Sequence, residues 1–210
     1  MLRAKSPRND ALNMNLSFIK IKFRDKMVPD SEKLTALKIV QSKIYTPDTL
    51  LMTINMWRFK ENSIVFTNGC FDILHRGHID YLAKASDLGG KLIIGINSDA
   101  SVKRLGKSDA RPLQDEQTRA IILASLHFVS AVIIFDEETP FDLINFIKPD
   151  VLVKGADYYA NETNKESKKY IVGSDIVKAN KGKVTTIEFL EGFSTTAIEE
   201  KIKEQTKNNR

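Results

Sequence analysis

From residue 64 onward, short continuous runs of apolar residues alternate with segments in which apolar residues recur every three or four positions. Runs bounded by polar residues predict buried strands, and the intervening periodicity predicts helices. The predicted strands lie at 64–67, 92–96, 131–135, 151–153 and 184–189. The predicted helices lie at 75–88, 115–126, 139–148, 176–180 and 194–205.

Strands that are apolar on both faces and separated by helices are typical of a parallel sheet covered on either side. Crossovers between such strands are right-handed. The sequence therefore predicts an α/β fold, with a single Rossmann-like, doubly wound parallel sheet of five strands and helices on both faces. In such sheets ligands bind beyond the carboxyl ends of the strands. We therefore expect the site in the loops after the first, second, fourth and fifth strands.

The first 62 residues follow a different pattern. Residues 1–29 mix polar and basic residues around one short apolar patch, which predicts a basic flexible leader, with a targeting peptide as the alternative. Residues 30–62 predict two N-terminal helices, the second capped by Thr46 and begun by Pro47. We expect the α/β domain to occupy residues 63–205 and a short tail to occupy 206–210.

The charge of the chain is uneven. The 210 residues include 32 Lys and Arg against 27 Asp and Glu, and the whole excess of positive charge lies within residues 1–42. A nucleic-acid-binding domain carries its basic stripe on the fold itself, so we expect no nucleic acid partner. No stretch of about 18 apolar residues predicts a membrane span. The single cysteine, Cys70, has no partner for an intramolecular disulfide, which favours a reducing, cytoplasmic setting.

Candidate chemistry is concentrated in the loop after the first predicted strand, where residues 67–78 read TNGCFDILHRGH. Gly69 is expected to allow a tight turn as the chain leaves the strand. His75 and His78 are three residues apart at the start of a helix and so share a face. Gly77 between them would let a ligand approach the backbone. Since a helix N-terminus favours anions, this pattern indicates a phosphate site.

Two other interpretations of the histidine pair stay open on the residues alone. The histidines could ligate zinc, with Cys70 or Asp72 as a third ligand. They could also be structural imidazoles with hydrogen-bond partners in the fold. The Gly-Lys-Ser/Thr phosphate loop of many kinases and ATPases does not occur in the sequence.

Two motifs resemble a known group of enzymes. Residues 68–72 together with 75–78 resemble the first signature of the HxGH nucleotidyltransferase superfamily, and residues 192–196 resemble its second signature. Within that superfamily, the segments at 97–104, 152–158 and 172–177 are most similar to the bacterial D-glycero-D-manno-heptose 1-phosphate adenylyltransferases, in the form of a stand-alone domain. The resemblance covers roughly residues 43–204.

The resemblance implies that AMP is transferred from ATP to D-glycero-D-manno-heptose 1-phosphate, giving ADP-heptose and pyrophosphate for lipopolysaccharide precursor synthesis. It implies Mg²⁺ carried by the triphosphate, small-molecule substrates, a homodimer and a kinase step on a separate chain. The alternatives are an FAD synthetase, a glycerol-phosphate or ethanolamine-phosphate cytidylyltransferase, or a nucleotide-binding protein without turnover.

The resemblance also assigns roles to residues. It implies catalytic roles for His75, His78 and Lys103. Substrate binding is implied for Arg111 and Arg119. The residues expected to bind the nucleotide are Asn68, Gly69, Cys70, Phe71, Asp72, Gly77, Lys154, Gly155, Asp157, Ser194, Thr195 and Thr196.

Several of these positions have simpler interpretations. Residues 194–196 could serve only as a helix cap, the basic segment 103–111 could be a solvated loop, and Arg119 could pair with Asp115 along the helix. We expect His127 to be a buried structural residue and residues 157–169 to form a mobile loop near the site. Phe189 stands where the superfamily's cytidylyltransferases carry an arginine, which disfavours a cytidylyltransferase.

Overall fold

Six parallel strands form one sheet in the computed structural model of the chain, which describes residues 34–106 and 111–208. The strands are β1 (Ile44–Tyr45), β2 (Ile64–Gly69), β3 (Lys91–Asn97), β4 (Ala131–Phe135), β5 (Val151–Gly155) and β6 (Lys183–Ile187). Their order across the sheet is β1-β4-β3-β2-β5-β6. The predicted α/β fold with a parallel sheet is confirmed.

Helices connect the strands and flank the sheet. They are α1 (Ala36–Gln41), α2 (Pro47–Phe59), α3 (Arg76–Ser86), α4 (Asp99–Arg104), α5 (Glu116–Ala124), α6 (Phe141–Ile147), α7 (Ser174–Ala179) and α8 (Thr195–Asn208). Thr46 caps α2 and Pro47 begins it, as the sequence indicates. None of the helices in the described ranges is long and apolar enough to cross a lipid bilayer.

The prediction of five strands is wrong because β1 was not anticipated. This strand has only two residues, Ile44 and Tyr45, which pair with Val132 and Ile133 of β4. A two-residue segment between two helices produces no apolar run, so its pattern is hidden within the predicted N-terminal helices. The short helix α4 was also not predicted, although Ser98 caps it by accepting a hydrogen bond from the Ser101 amide at 3.0 Å.

The order of the strands creates a point at which the winding reverses. The chain places β2, β3 and β4 side by side toward one edge, and then returns to place β5 and β6 on the other side of β2. The connections that follow β2 and β5 therefore run in opposite directions across the sheet. This arrangement leaves a crevice beyond the carboxyl ends of the two strands. The leader predicted at 1–29 lies outside the described residues, and the predicted domain boundaries stay predictions.

Two apolar clusters hold the helices against the two faces of the sheet. Along β2, Val65 belongs to one cluster, whereas Ile64 and Phe66 belong to the other. Successive strand residues point to opposite faces, so a strand buried on both sides must be apolar at every position. This explains the continuous apolar runs and confirms helices on both faces.

Candidate active site

A cavity of about 500 Å³ lies beyond the carboxyl ends of the strands. Its walls come from the ends of β2, β3 and β5 and from the loops that follow β4 and β6. The lining residues are Asn68, Gly69, Cys70, Phe71, His78, Tyr81, Asn97, Leu105, Glu138, Thr139, Pro140, Lys154, Gly155, Asp157, Tyr158, Tyr170, Val172 and Phe189. The loop after β4, which the sequence analysis left out, therefore contributes to the site.

The turn that leaves β2 is built around Phe71. Phe71 has φ of 49°, in the left-handed region that side chains other than glycine rarely adopt. A Cβ added at Gly69 would lie 3.1 Å from Cε2 of the Phe71 ring. Gly69 therefore makes room for that ring, and the residue with left-handed backbone in this turn is Phe71.

The two histidines stack at the N-terminus of α3. Their ring centroids are 3.9 Å apart, with 23° between the planes. His75 is the N-cap of α3 but makes no side-chain capping bond. A Cβ added at Gly77 would lie 3.0 Å from Cε1 of His75 and 3.2 Å from Cβ of Phe193. The position of a Cβ at Gly77 is therefore occupied by these side chains, so the glycine makes room for the His75 ring, and its contact with a ligand stays a prediction.

Burial keeps both imidazoles uncharged at neutral pH. Burial, together with the neighbouring His75, lowers the pKa of His78 to about 4, and a hydrogen bond to the Ile73 carbonyl acts in the opposite direction. Burial also lowers the pKa of His75. The Nδ1 atom of His75 is buried without a hydrogen-bond partner in the described part of the chain. A neutral imidazole has one N–H donor and one acceptor nitrogen, so the pair can donate hydrogen bonds to phosphate oxygens.

Lys154 reaches the cavity from the end of β5. Its Nζ donates a hydrogen bond of 2.6 Å to Oδ1 of Asn68, which lies at the end of the adjacent strand β2. The same Nζ lies 5.5 Å from the ring centroid of Tyr158. Burial lowers the pKa of Lys154 to about 8, while Asp157 and Cys70 act to raise it. The cavity wall thus holds an ammonium group with a neutral hydrogen-bond partner.

Phe189 packs directly on the backbone of Gly155. A Cβ added at Gly155 would overlap Cζ of Phe189 and would lie 2.7 Å from Oδ1 of Asp157. The Phe189 ring centroid is 6.3 Å from that of Tyr81, whose hydroxyl forms a hydrogen bond of 2.7 Å with Oγ1 of Thr67. Gly155 is therefore required so that the Phe189 ring can form one wall of the cavity.

The second signature lies beside the first. The guanidinium of Arg76 lies 5.3 Å above the Phe193 ring, so the N-terminus of α8 meets the N-terminus of α3. Ser194 caps α8, because its Oγ accepts a hydrogen bond of 3.0 Å from the Ala197 amide. Neither Ser194 nor its neighbours Thr195 and Thr196 line the cavity. The structure thus shows the capping role for Ser194, and phosphate binding by these three residues stays a prediction.

Asp72 is buried and holds two loops together. Its carboxylate accepts hydrogen bonds from the Leu113 amide, at 2.8 and 3.0 Å to its two oxygens, and from the Gln114 amide at 3.0 Å. These bonds occupy the oxygens that the zinc interpretation needs. Within residues 34–106 and 111–208, no group of three His, Cys, Asp or Glu side chains could hold a metal ion.

Arg119 lies inside the protein, with only 1% of its surface exposed. It donates to the Gln114 carbonyl at 3.0 Å and to the Cys70 carbonyl at 2.8 Å, and it forms an ion pair of 2.6 Å with Asp99. The partner suggested by the sequence, Asp115, instead caps α5 through the Thr118 amide. This geometry favours positioning of the loop after β2 over the predicted contact with substrate.

The other two predicted cations also lie outside the cavity lining. Arg111 forms an ion pair with Glu199 of α8. Lys103 is exposed on the last turn of α4, two residues before the lining residue Leu105. Their phosphate contacts stay predictions, and residues 107–110 of the same basic segment lie outside the described residues.

Comparison with known families places this cavity in context. A family model described as cytidylyltransferase-like matches residues 66–201. The chain belongs to the cytidylyltransferase-like family. The match extends from β2 into α8, so it includes both signatures and the walls of the cavity.

Relatives of this cytidylyltransferase-like chain carry the name Bifunctional protein HldE. The one from Wolinella succinogenes is 50% identical over 162 residues, which are 77% of this chain and 31% of that protein. The one from Campylobacter jejuni subsp. jejuni serotype O:6 is 48% identical over 193 residues, or 92% of this chain and 36% of that protein. The chain therefore spans about a third of the length of these curated relatives.

Sequence reasoning missed several lining residues of the cytidylyltransferase-like site. Asn97 ends β3 and Thr139 lies in the loop after β4, so the rule that ligands bind at strand ends could have found them. Tyr81 lies one turn beyond His78 on α3 but gives no signal of its own. Tyr170 and Val172 reach the cavity through the long loop after β5, which no local pattern predicts. His127, expected to be buried, is exposed beside the Phe128 ring, with centroids 5.0 Å apart.

Proposed function

We propose that this chain is an adenylyltransferase that transfers AMP from ATP to D-glycero-D-manno-heptose 1-phosphate, releasing pyrophosphate and forming ADP-heptose. The observation that carries the proposal is the pair of stacked, neutral imidazoles at the N-terminus of α3, beside a cavity at the switch point of a cytidylyltransferase-like domain. The sugar substrate rests on the motifs at 97–104 and 152–158 and on the similarity to the bifunctional relatives. Such a product serves lipopolysaccharide synthesis.

The chemistry needs little from the protein beyond alignment and charge stabilisation. A phosphate oxygen of the acceptor is anionic at neutral pH, so it attacks the α-phosphorus of ATP without a general base. The bond from the α-phosphorus to the β-phosphate oxygen breaks, and pyrophosphate leaves. His75 and His78 donate hydrogen bonds to the phosphates, and the N-termini of α3 and α8 add their positive ends. Catalysis then comes from orientation and from stabilisation of the developing charge.

The acidic side chains of the cavity suit a magnesium ion that arrives with the triphosphate. Glu138 and Asp157 are the carboxylates among its described lining residues. Mg²⁺ keeps most of its water and is usually bound through one or two carboxylates together with substrate phosphates. When bound, the ion would neutralise phosphate charge, and Glu138 would be the carboxylate that holds it, together with the phosphate oxygens and water.

Pyrophosphate release tests the proposed reaction. We expect release with ATP and one anomer of heptose 1-phosphate, and much slower release with CTP or GTP. Glycerol phosphate, ethanolamine phosphate and FMN serve as competing acceptors. Faster turnover with any of these acceptors, or with CTP, would replace the proposed reaction.

A histidine substitution tests the imidazole pair. We expect His78→Ala to lower kcat by about 10²–10³, because removing one donor to a developing charge typically costs that much. ATP binding, measured by calorimetry, should weaken only modestly. His127→Ala, a change of the same size at an exposed histidine, should leave the rate unchanged. Equal rates for the two variants would remove the proposed role of His78.

We further propose a cytoplasmic homodimer, which the resemblance supports. The exposed Leu37 and Ile39 on α1 support an interface at this helix. Sedimentation velocity of the wild type and of a Leu37→Asp variant tests the assembly. A monomeric wild type would contradict it.

A further inference from the structure

The proposed reaction poses an electrostatic problem that the histidines do not solve. The acceptor phosphate and the triphosphate are both anions, and like charges repel strongly where water is excluded. His78 and His75 have lowered pKa values and are neutral before substrates bind. The proposed function uses the positive ends of α3 and α8 for the triphosphate. A separate cation is therefore needed where the acceptor phosphate enters.

Lys154 is the cationic side chain among the described residues that line the cavity. Its Nζ donates to the neutral Oδ1 of Asn68 at 2.6 Å, and none of the ion pairs within residues 34–106 and 111–208 includes it. Removing an ammonium group from water without a paired carboxylate is costly. A desolvated lysine at the wall of a cavity is thus poised to bind an anion.

The surroundings of Lys154 suit a phosphorylated sugar. Tyr158 lies under the ammonium group, and Tyr170 and Asp157 line the same cavity. Phenol hydroxyls and a carboxylate hydrogen-bond to sugar hydroxyls, and aromatic faces pack against the carbon side of a sugar ring. Lys154 also lies at the carboxyl end of β5, beside β2, where the winding of the sheet reverses.

We propose that Lys154 binds the phosphate of the acceptor, and that Tyr158, Tyr170 and Asp157 form the subsite for its sugar. This inference rests on the proposed function and assigns the acceptor phosphate to β5 instead of to Arg111 or Arg119. The ammonium group holds the attacking phosphate oxygen toward the α-phosphorus and offsets the charge of the acceptor. No proton is transferred in this step, because the attacking oxygen is already anionic.

The test compares Lys154→Met with Lys154→Arg, and uses Lys183→Met as the control. Lys183 is an exposed lysine at the opposite, amino-terminal end of the neighbouring strand β6. We expect Lys154→Met to raise the KM for heptose 1-phosphate at least about tenfold and to leave the KM for ATP within about threefold, as expected for loss of an acceptor contact alone. Lys154→Arg should recover part of the loss, and Lys183→Met should match the wild type.

The pH dependence adds a readout that a purely structural lysine would not change. The groups that face Lys154 are Asn68 and Cys70 on the β2 side and Asp157 and Tyr158 after β5. In the wild type the KM for the acceptor should rise above about pH 8, as the ammonium group loses its proton. In Lys154→Met this rise should disappear. A weakened ATP affinity with an unchanged acceptor KM, or no change in either, would overturn the inference.

Failure of the proposed substrate can be separated from failure of this inference. If the wild type releases no pyrophosphate with any heptose 1-phosphate anomer, the proposed reaction is wrong. Calorimetric titration of inorganic phosphate into protein saturated with a non-hydrolysable ATP analogue then tests Lys154 directly. Phosphate binding that is lost in Lys154→Met and retained in Lys183→Met supports the inference, and equal binding in all three proteins overturns it.

Discussion

Two imidazoles stacked 3.9 Å apart at a helix N-terminus cannot both take up a proton without a large cost. Each loses hydration on burial, and each charge would repel the other. The missing side chain of Gly77 fixes this arrangement, because the His75 ring occupies the space that a Cβ would need. The two imidazoles are therefore neutral hydrogen-bond donors whose positions are fixed before a nucleotide binds.

We expect the pKa of His78 in the nucleotide-free protein to lie near 4, because burial and His75 both disfavour the imidazolium. Addition of a non-hydrolysable ATP analogue should raise this pKa, since a nearby anion favours the charged ring. An NMR titration of the histidine ring protons measures both values, with His78→Gln to assign the signal. A midpoint near 6.5 without nucleotide would contradict the buried geometry.

The same shift predicts a dependence of stability on pH. The unfolded chain protonates His78 near pH 6.5, whereas the folded protein does so only near pH 4. The contribution of His78 to the free energy of unfolding is therefore complete above pH 6.5 and is lost as the pH falls toward 4. Urea unfolding at pH 7 and pH 5 should show a smaller loss for His78→Gln than for the wild type. Equal losses would argue against the shift.

Gly155→Ala should damage the cavity through Phe189. The new methyl group overlaps the Phe189 ring and crowds the Asp157 carboxylate, so both must move. A displacement of about 1 Å can cost about 10²-fold in rate, and we expect a loss of that order in kcat/KM for ATP. The double variant Gly155→Ala, Phe189→Ala relieves the overlap and should recover part of the loss. A double variant no better than the single one would show that the clash is not the cause.

At the scale of elements, helix α5 holds together segments that surround the site. Through Arg119 it ties together the loop after β2 and the start of α4, and the buried Asp72 ties the loop before α5 to the turn after β2. The sequence shows the local relation of Arg119 to Asp115, but Asp99 lies 20 residues away and on another element. Helical spacing alone could not reveal that long-range partner, and the predicted contact of Arg119 with substrate stays a prediction.

Breaking this anchor should destabilise the protein. Arg119→Met leaves the partly exposed Asp99 and two carbonyls without their donor, and a buried acceptor left unsatisfied typically costs about 1–3 kcal/mol. Arg104→Met provides the matched control, because its ion pair with Asp136 is exposed and should contribute less than about 1 kcal/mol. Chemical denaturation of both variants tests the difference. Similar losses in the two variants would mean that Arg119 is not an anchor.

The length and the burial of each element explain whether the sequence could predict it. The five long strands are buried on both faces, so each appears as a continuous apolar run. β1 is too short to form such a run, and α4 has only six residues and one capping serine. The site followed the same rule. Asn68, Gly69, Lys154 and Gly155, which the resemblance implies, lie at the ends of β2 and β5 and line the cavity, whereas Tyr170 and Val172 depend on the path of a long loop.

At the scale of the whole molecule, the sheet and the cavity, as far as residues 34–106 and 111–208 show, are formed from β1 onward. Because the sequence predicts a flexible leader at residues 1–29, we expect their deletion to leave the rate of pyrophosphate release and the midpoint of thermal unfolding unchanged. Calorimetry and the pyrophosphate assay on the shortened chain check this expectation. A shortened chain that loses either property would show that the first 29 residues support the α/β domain.

The meeting of α3 and α8 has a practical consequence. Both helices direct their positive ends toward the same small region, and the packing of Arg76 on Phe193 keeps them together even when no nucleotide balances that charge. Under the proposed function, we expect small oxyanions from the solution to compete with the triphosphate for this region and to raise the melting temperature. In phosphate or sulfate buffers, the measured melting temperature would therefore be higher, and the apparent affinity for ATP would be lower, than in buffers without these anions.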